Sequence, residues 1–458
     1  MGKIWAIAVN TFRQALRMKI ALVFILLLLF MLPVMGLTAS GDGTLKGRLQ
    51  TFVSYGLSLT TILMSILTVV VSVYTLSSDI EHKQLFTVLT KPVRRFELLI
   101  GKFTGIVIFD LLLMLVFGLI IYLVAVYLPD LTDAPADQRA AAHREFYTAR
   151  ESRFPPAPDV SEAVLQAFQR LKNMNQVPPG VEANLHEREA FLDEIAAQLK
   201  LRERAVAPGR EITWEFSNIK PAEGNKTIFI RFKYDVSINP PDMQVYSNWR
   251  IGDNRKGPDE VSTPLYFTER KDTIRTFHEI EIPAEAIAED GYLAVSFRNI
   301  AGANNTVVLF PLEDGLEVMY KADIFTRNYL RGCMLIFFRL VFLSVLGLMA
   351  AAFLSMPVAV LFSIAVLLIA HISNFGLESF ESLTQGFGTI YQYTFVPLVK
   401  IMPQFDRFSP VDKLVSARLI PWSFVWRGAF LMIFIKSTLM LLIAVWIFGR
   451  REIARVTV

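Results

Sequence analysis

Reactive side chains are scarce in this chain. It has one cysteine, Cys333, in 458 residues, so no disulfide can form within one copy and no paired-cysteine metal or redox site exists. The five histidines, His82, His143, His186, His278 and His371, are far apart, and no HExxH pattern sets two of them on one helical turn. Gly-Lys occurs at Gly2-Lys3 and Gly101-Lys102, neither followed by Ser or Thr. Without a Walker A loop the chain has no cradle for nucleotide phosphates. No catalytic or metal-ligating set stands out, and the net charge of +4 marks no nucleic-acid partner.

What the chain has instead is long stretches without charge. Residues 18–41 hold only Lys19, 49–78 hold no charge, 103–128 hold only Asp110, 340–377 hold none, and 428–449 hold only Lys436. About 20 helical residues cross a bilayer. Pro357 divides the fourth run, which fits two spans, one from near Leu330 to Phe353 and one after it. The expectation is six membrane-spanning helices. The first run is longer than the apolar core of a signal peptide and a second follows at once, so it reads as a span that is kept.

Lys and Arg gather in three short segments: Lys3, Arg13, Arg17 and Lys19; Lys83, Lys91, Arg94, Arg95 and Lys102; and Arg450, Arg451 and Arg455. Six spans put all three on one side, which the positive-inside rule makes cytoplasmic. Both termini are then cytoplasmic in an inner (plasma) membrane, and residues 129–328 lie outside. The organisation expected is 1–128 with three spans, 129–328 as an outer domain, and 329–458 with three more spans and a basic tail. Within the last part, 376–424 reads as an outer loop or re-entrant segment, whose Tyr391, Tyr393, Trp422 and Trp426 suit an interfacial belt.

The outer domain changes character along its length. "DQRAAAHREFYTARESRF", "VSEAVLQAFQRLKNMNQ" and "HEREAFLDEIAAQLKLRERA" read as helices, a helical part over 136–205. From 210 to 312 alternation takes over, as in "KTIFIRFKYDV", and short strands at "EITWEFSN", "TFHEIEI", "YLAVSFRN" and "TVVLFPL" suggest a β-sandwich. The charged run at His186–Glu189 reads as a metal or acid-base cluster or, more simply, a solvated helix face. Trp214, Tyr246, Trp249 and Tyr266 suit either a sugar-stacking platform or sandwich core.

Asp110, Arg339, His371 and Lys436 fall within or near spans, where an ionisable group faces protein or water. They line a translocation path that attracts an anionic group, or they are structural, with Lys436 snorkelling and Arg339 paired to Asp110 or a carbonyl.

The segment "SSDIEHKQLFTVLTKPVRRFELLIGK", residues 77–102, joins the second and third runs. Ser78 and Glu81 form a capping box, so a helix over 79–91 is predicted, ending before Pro92. A helix this short needs something to pack on, either the bilayer surface or a protein groove. The run Glu81, Thr87, Leu89, Pro92, Arg94 or Arg95, Gly101 and Lys102 resembles the cytoplasmic loop of ABC type 2 permeases, departing from it where Leu85-Phe86 precede Thr87. "IWAIAVNTFRQALRMKI" is similar to the family's amphipathic N-terminal helix, with Trp5, Val9, Phe12 and Leu16 on one face and Arg13 and Arg17 elsewhere. "MPQFDRFSP", "IPWSFVWRGAF" and "IFGRRE" are similar to the ending of the subgroup in nitrous-oxide reductase maturation and gliding motility. The resemblance covers about 1–128 and 329–458.

It implies a six-helix membrane fold of the type V ABC exporter kind. A separate ATPase subunit, carrying ATP and Mg, would dock on Asp79, Ile80, Glu81, Leu85, Phe86, Thr87, Leu89, Pro92, Arg94 and Arg95. The chain would pair with a second copy or a related permease. The rival expectation is a membrane receptor, mechanotransmitter or assembly factor whose outer domain binds a ligand or a maturing enzyme.

Overall fold

The computed structural model describes residues 2–81, 94–178, 181, 185–221, 227–255, 263–303, 306–381 and 403–450, without the side chains of 185–186 and 373–381. The chain divides into two compact units, Met1–Ala149 with Ile324–Val458, and Arg150–Asp323.

The first unit is helical. Its elements are α1 (Gly2–Arg17), α2 (Lys19–Thr38), α3 (Leu45–Glu81), α4 (Arg95–Leu131), α5 (Ala136–Glu145), α8 (Phe325–Phe353), α9 (Met356–Glu381), α10 (Val411–Val415) and α11 (Trp422–Arg450). Five of them, α2, α3, α4, α8 and α11, are long and apolar enough to cross a membrane. The span expected after Pro357 falls on α9, whose apolar stretch, Met356–Ile372, is shorter than those of the five.

Burial ranks these helices. The apolar window of α8 is 83% buried and that of α3 is 67% buried, whereas α2 and α11 reach only 22% and 17%. α8 and α3 are therefore the most enclosed of the five, while Leu26, Phe30, Phe434 and Leu442 on α2 and α11 remain exposed. Small residues allow the close approach: a Cβ at Gly347 of α8 would run into Ser72 Oγ of α3, and α8 seats Leu340, Leu343 and Leu346 in the same core as Leu67, Val69 and Val73. The hydroxyls of α3 cost little there, because Thr61, Ser65, Ser72 and Thr75 donate to carbonyls one turn back at 2.6–3.2 Å.

Residues 403–421 are irregular but anchored. Asn328 of α8 donates to Arg418 O at 2.8 Å and accepts from Ile420 N at 2.8 Å, Gln50 donates to Val415 O at 2.9 Å, and Phe405 N reaches Ala370 O at 3.1 Å. Backbone groups freed from helical pairing are thus met by side chains within the unit.

The second unit is β-rich, with a helical pair. Helices α6 (Ser161–Asn173) and α7 (Leu185–Glu203) close on Val164, Phe168, Val181 and Ile195. Eleven strands follow or flank them among the described residues: β1 (Thr148–Arg153), β2 (Ala205–Val206), β3 (Glu211–Phe216), β4 (Thr227–Phe232), β5 (Asp235–Val236), β6 (Gln244–Gly252), β7 (Tyr266–Thr273), β8 (His278–Pro283), β9 (Leu293–Asn299), β10 (Val308–Leu309) and β11 (Leu316–Ile324). Their sheets run β1-β11-β4-β8, β2-β10-β5 and β3-β9-β6-β7. Alternation in β4 and β6 turns Ile228, Ile230, Phe232, Val245, Trp249 and Ile251 into one core. The rings meet there, Phe232 with Trp249 at 4.4 Å and Phe297 with Phe310 at 4.9 Å.

Two expectations about this region need correction. The run 136–205 is not wholly helical, since "TARESR" forms strand β1; its place at the edge of the sheet beside β11 overrides the helical propensity of Ala, Arg and Glu. The strand pattern also extends past 312, through β11, whose buried Leu316, Val318 and Tyr320 pair with Phe232, Ile230 and Ile228 of β4.

Candidate functional site

The site of interest is the end of the helical unit that carries the 77–102 segment. A helix start near Asp79 is not what forms. α3 runs unbroken from Leu45 to Glu81, because Ser77 and Ser78 are buried and Asp79 is held by Lys102, so the Ser78–Glu81 pattern belongs to its last turn. Leu85, Phe86, Thr87, Leu89 and Pro92 lie outside the described residues, and so does His82.

The two ends of that segment are fixed. Lys102, 2% exposed, places Nζ 2.6 Å from Asp79 Oδ2 and donates to Thr75 O at 2.7 Å, bridging the end of α3 to α4. Arg94 N donates to Glu97 Oε2 at 2.7 Å, so a carboxylate one turn in meets an amide that has no partner within the helix at the start of α4. Arg95 Nη1 donates to Phe448 O and Gly449 O at 3.1 and 2.8 Å, joining the start of α4 to the last described turn of α11.

Helix α1 lies against α4. Its buried stripe is Ala8, Thr11 and Ala15, and α4 answers with Gly101 and Gly105. A Cβ at Gly101 would stand 2.7 Å from Ile7 Cβ, and one at Gly105 would stand 2.5 Å from Ala8 O. This is small-residue helix packing. Of the apolar face read from the sequence, Trp5 is 60% exposed and Val9, Phe12 and Leu16 are half-buried, with Phe12 meeting Phe109 at 6.4 Å. Gly-Lys-Phe-Thr-Gly at 101–105 was the missed signal. Arg13 and Arg17 are exposed and line a cleft of about 520 Å³ with Tyr74, Ser78 and Asp79.

The four ionisable residues in or near spans do not form one row. Asp110 accepts from Thr68 Oγ1 at 2.9 Å, and its other oxygen has no partner among the described residues. The expected Asp110–Arg339 pair is absent among the described residues, since Asp110 is held at the α3–α4 contact by Thr68. Arg339 meets His371, Nη2 to Nδ1 at 3.5 Å, and its guanidinium lies 4.5 Å from the Phe405 ring centroid. Lys436 sits in a π-helical stretch of α11, Phe430–Ser437, where Ser437 donates to Met432 O at 2.6 Å; such stretches often mark functional positions. Sequence reading missed Arg331, buried two turns before Arg339, which donates to Ile420 O at 3.2 Å.

In the β-rich unit Trp214 and Trp249 are core residues, 7% and 1% exposed, so they offer no face for sugar stacking. Glu187, Arg188 and Glu189 are exposed on α7, and no group of three metal-ligating side chains occurs among the described residues. The strongest charge cluster is Arg255 with Asp253 and Asp290, at 2.9 and 2.6 Å, stacked 3.9 Å from the centroid of Tyr292. Hydrogen bonds from Arg255 hold both carboxyls below their ordinary range, and burial pushes the Tyr292 hydroxyl up to about 12.

No family model matches the chain, and no curated protein matches it. The long apolar helices are compatible with an integral membrane protein.

Proposed function

We propose that the chain is the permease subunit of an ATP-driven ABC transporter of the type V exporter kind, with six spans, α9 being the fifth, and both termini in the cytoplasm. The observation that carries this reading is how the described residues on either side of 82–93 are fixed. Asp79–Lys102 ties the end of α3 to α4, Arg94–Glu97 starts α4, and Arg95 joins α4 to α11. Flanks tied to three long helices would carry a force applied between them into the membrane. α1, clamped to α4 by Gly101 and Gly105, would move with it.

In this reading two chains enclose a path and two ATPase subunits, carrying ATP and Mg, grip residues 79–95. Closure of the ATPase pair on ATP displaces those residues, and α3, α4 and α11 carry the movement into the membrane. The substrate is exported past the β-rich unit.

The test is purification of the chain from its native membrane in mild detergent, followed by native mass spectrometry. Two copies with two Walker-motif subunits are expected, and Leu85→Asp with Phe86→Asp should release the ATPase. A chain that arrives alone, or with an extracytoplasmic protein and no ATPase, overturns the proposal. A second reading, a mechanotransmitter or assembly factor, draws on the separate β-rich unit with its own core. It keeps the ATPase but moves no substrate, so ATP-dependent uptake into inverted vesicles separates the two.

A further inference from the structure

Arg339 is 8% exposed, and its Nε has no hydrogen-bond partner among the described residues. Its polar side-chain contact there is the long one to His371, and no ion pair to a carboxylate occurs for it among the described residues. The charge of Asp406 reaches it through space, but Asp406 accepts from the Arg407 amide at 3.1 Å and does not line the cavity. A guanidinium has five N–H donors in a fixed fork and stays charged. Burying it with a donor unmet is costly unless something else supplies acceptors.

The space for that something is present. Arg339 opens on a cavity of about 90 Å³ between α3, α8, α9, the 405–411 segment and α11. Ser58 and Thr61 line one wall and Phe405 another, with His371 at the rim, where it is exposed. Thr61 already donates to Leu57 O, and the other polar side chains that line the cavity are Arg339, Ser58, His371 and Ser409. That volume is enough for one small oxyanion. The exposed position of His371 gives the cavity an opening.

We propose that this cavity seats one oxyanion group, a carboxylate or phosphate, on Arg339. The proposal names the substrate class of the permease reading and rests on that reading only for the direction of use. The group is either a free anion or the charged end of a lipid, and the shared chemistry is the bidentate match between guanidinium and oxyanion.

The test uses the full chain in phosphatidylcholine nanodiscs, without ATPase, with radiolabelled orthophosphate and radiolabelled dodecyl phosphate as probes and dodecyltrimethylammonium as the opposite-charge control. One saturable phosphate site per chain is expected. Arg339→Gln should weaken it at least about ten-fold, Arg339→Lys less, because charge remains while the fork is lost. Binding of orthophosphate identifies a free anion as sufficient; binding of dodecyl phosphate alone identifies a lipid-borne group. Absence of saturable binding by either probe overturns the proposal, as does unchanged affinity in an Arg339→Gln protein that unfolds like the parent. His371→Asn alters an exposed side chain and so serves where Arg339→Gln does not fold: an unchanged affinity there also overturns it. Since no ATPase is present, a positive result survives failure of the transporter reading.

Discussion

Arg255 and Arg339 carry the same guanidinium in the two units of this chain, and their surroundings differ in kind. Arg255 is 42% exposed in its side chain, meets two carboxylates and stacks on Tyr292. Arg339 is buried beside a ring and a histidine, with a donor unmet among the described residues. In the β-rich unit charge is paired even where it is buried, Asp253 with Arg255, Asp272 with Arg270 and Glu317 with Arg231. In the helical unit the buried charges among the described residues are few, and Lys102 and Arg331 among them fasten helices to their neighbours. A surface pair is screened and contributes little to stability; a buried charge is expensive, and its retention points to use. The comparison teaches where to look for function: not at a guanidinium whose carboxylates are already in place, but at one buried with a donor unmet among the described residues.

The largest effect should come from breaking the aromatic interior. Trp249→Ala removes the ring that meets Phe232 at 4.4 Å and Phe297 at 5.0 Å. A loss of about 3–5 kcal/mol is expected. Calorimetry of the full chain should show the transition of the β-rich unit moving down while that of the helical unit stays. Arg255→Gln, by contrast, should barely move either transition at neutral pH. Equal shifts from the two substitutions would break the comparison.

Next comes the charge that fastens. Lys102→Met leaves Asp79 against the helix core with no counter-ion from α4, and a loss of about 3 kcal/mol is expected for a broken buried pair. The double change Lys102→Met with Asp79→Leu should restore most of it, which a urea unfolding series would read. If the single and double variants are equally unstable, the pair is not what ties α3 to α4.

Such fastenings explain what the sequence could and could not disclose. Uncharged runs delimit helices because no charge crosses a bilayer cheaply, so α2, α3, α4, α8 and α11 fall where hydropathy puts them. Alternation likewise exposes β4, β3 and β9. The 148–153 strand is invisible locally, since a strand at a sheet edge is chosen by its neighbour β11. Ser78–Glu81 has the residues of a helix start, yet Lys102, twenty-one positions past Glu81, turns it into a helix end. Arg339 could be singled out from sequence as costly, but its company could not: His371 and Phe405 arrive from segments 32 and 66 residues further along the chain. The 77–102 segment itself was legible through its flanks, while its middle lies outside the described residues.

A smaller effect is expected where α1 meets α4. Gly105→Val would press a branched side chain on Ala8 O and Thr11 Cβ, at 2.5 and 2.8 Å from the new Cβ. Overpacking of this sort costs about 1–3 kcal/mol. Amide exchange should rise across residues 2–17 and leave β6 and β9 unchanged. Gly43→Ala, where a Cβ meets nothing within 4 Å but φ is +84°, controls for glycine loss without crowding. If α1 exchanges no faster in Gly105→Val, small-residue packing is not its clamp.

The smallest effect is a matter of pH, and it belongs to the β-rich unit. Asp253 and Asp290 are held low first by hydrogen bonds from Arg255, and Asp242 first by its hydrogen bond with Lys271. A carboxyl depressed in the folded state is protonated first in the unfolded chain, so its stabilisation is complete above the ordinary value of about 3.9 and drains away as pH falls through the folded value. The midpoint of the β-rich unit should therefore hold steady from pH 7 to 5 and decline below about pH 4. Arg255→Gln should flatten that decline while leaving the Asp242 contribution, and Lys271→Gln the reverse. An acid slope that neither substitution alters would mean that these surface pairs do not hold their carboxyls down, and the contrast with the buried charges of the helical unit would lose its more exposed half.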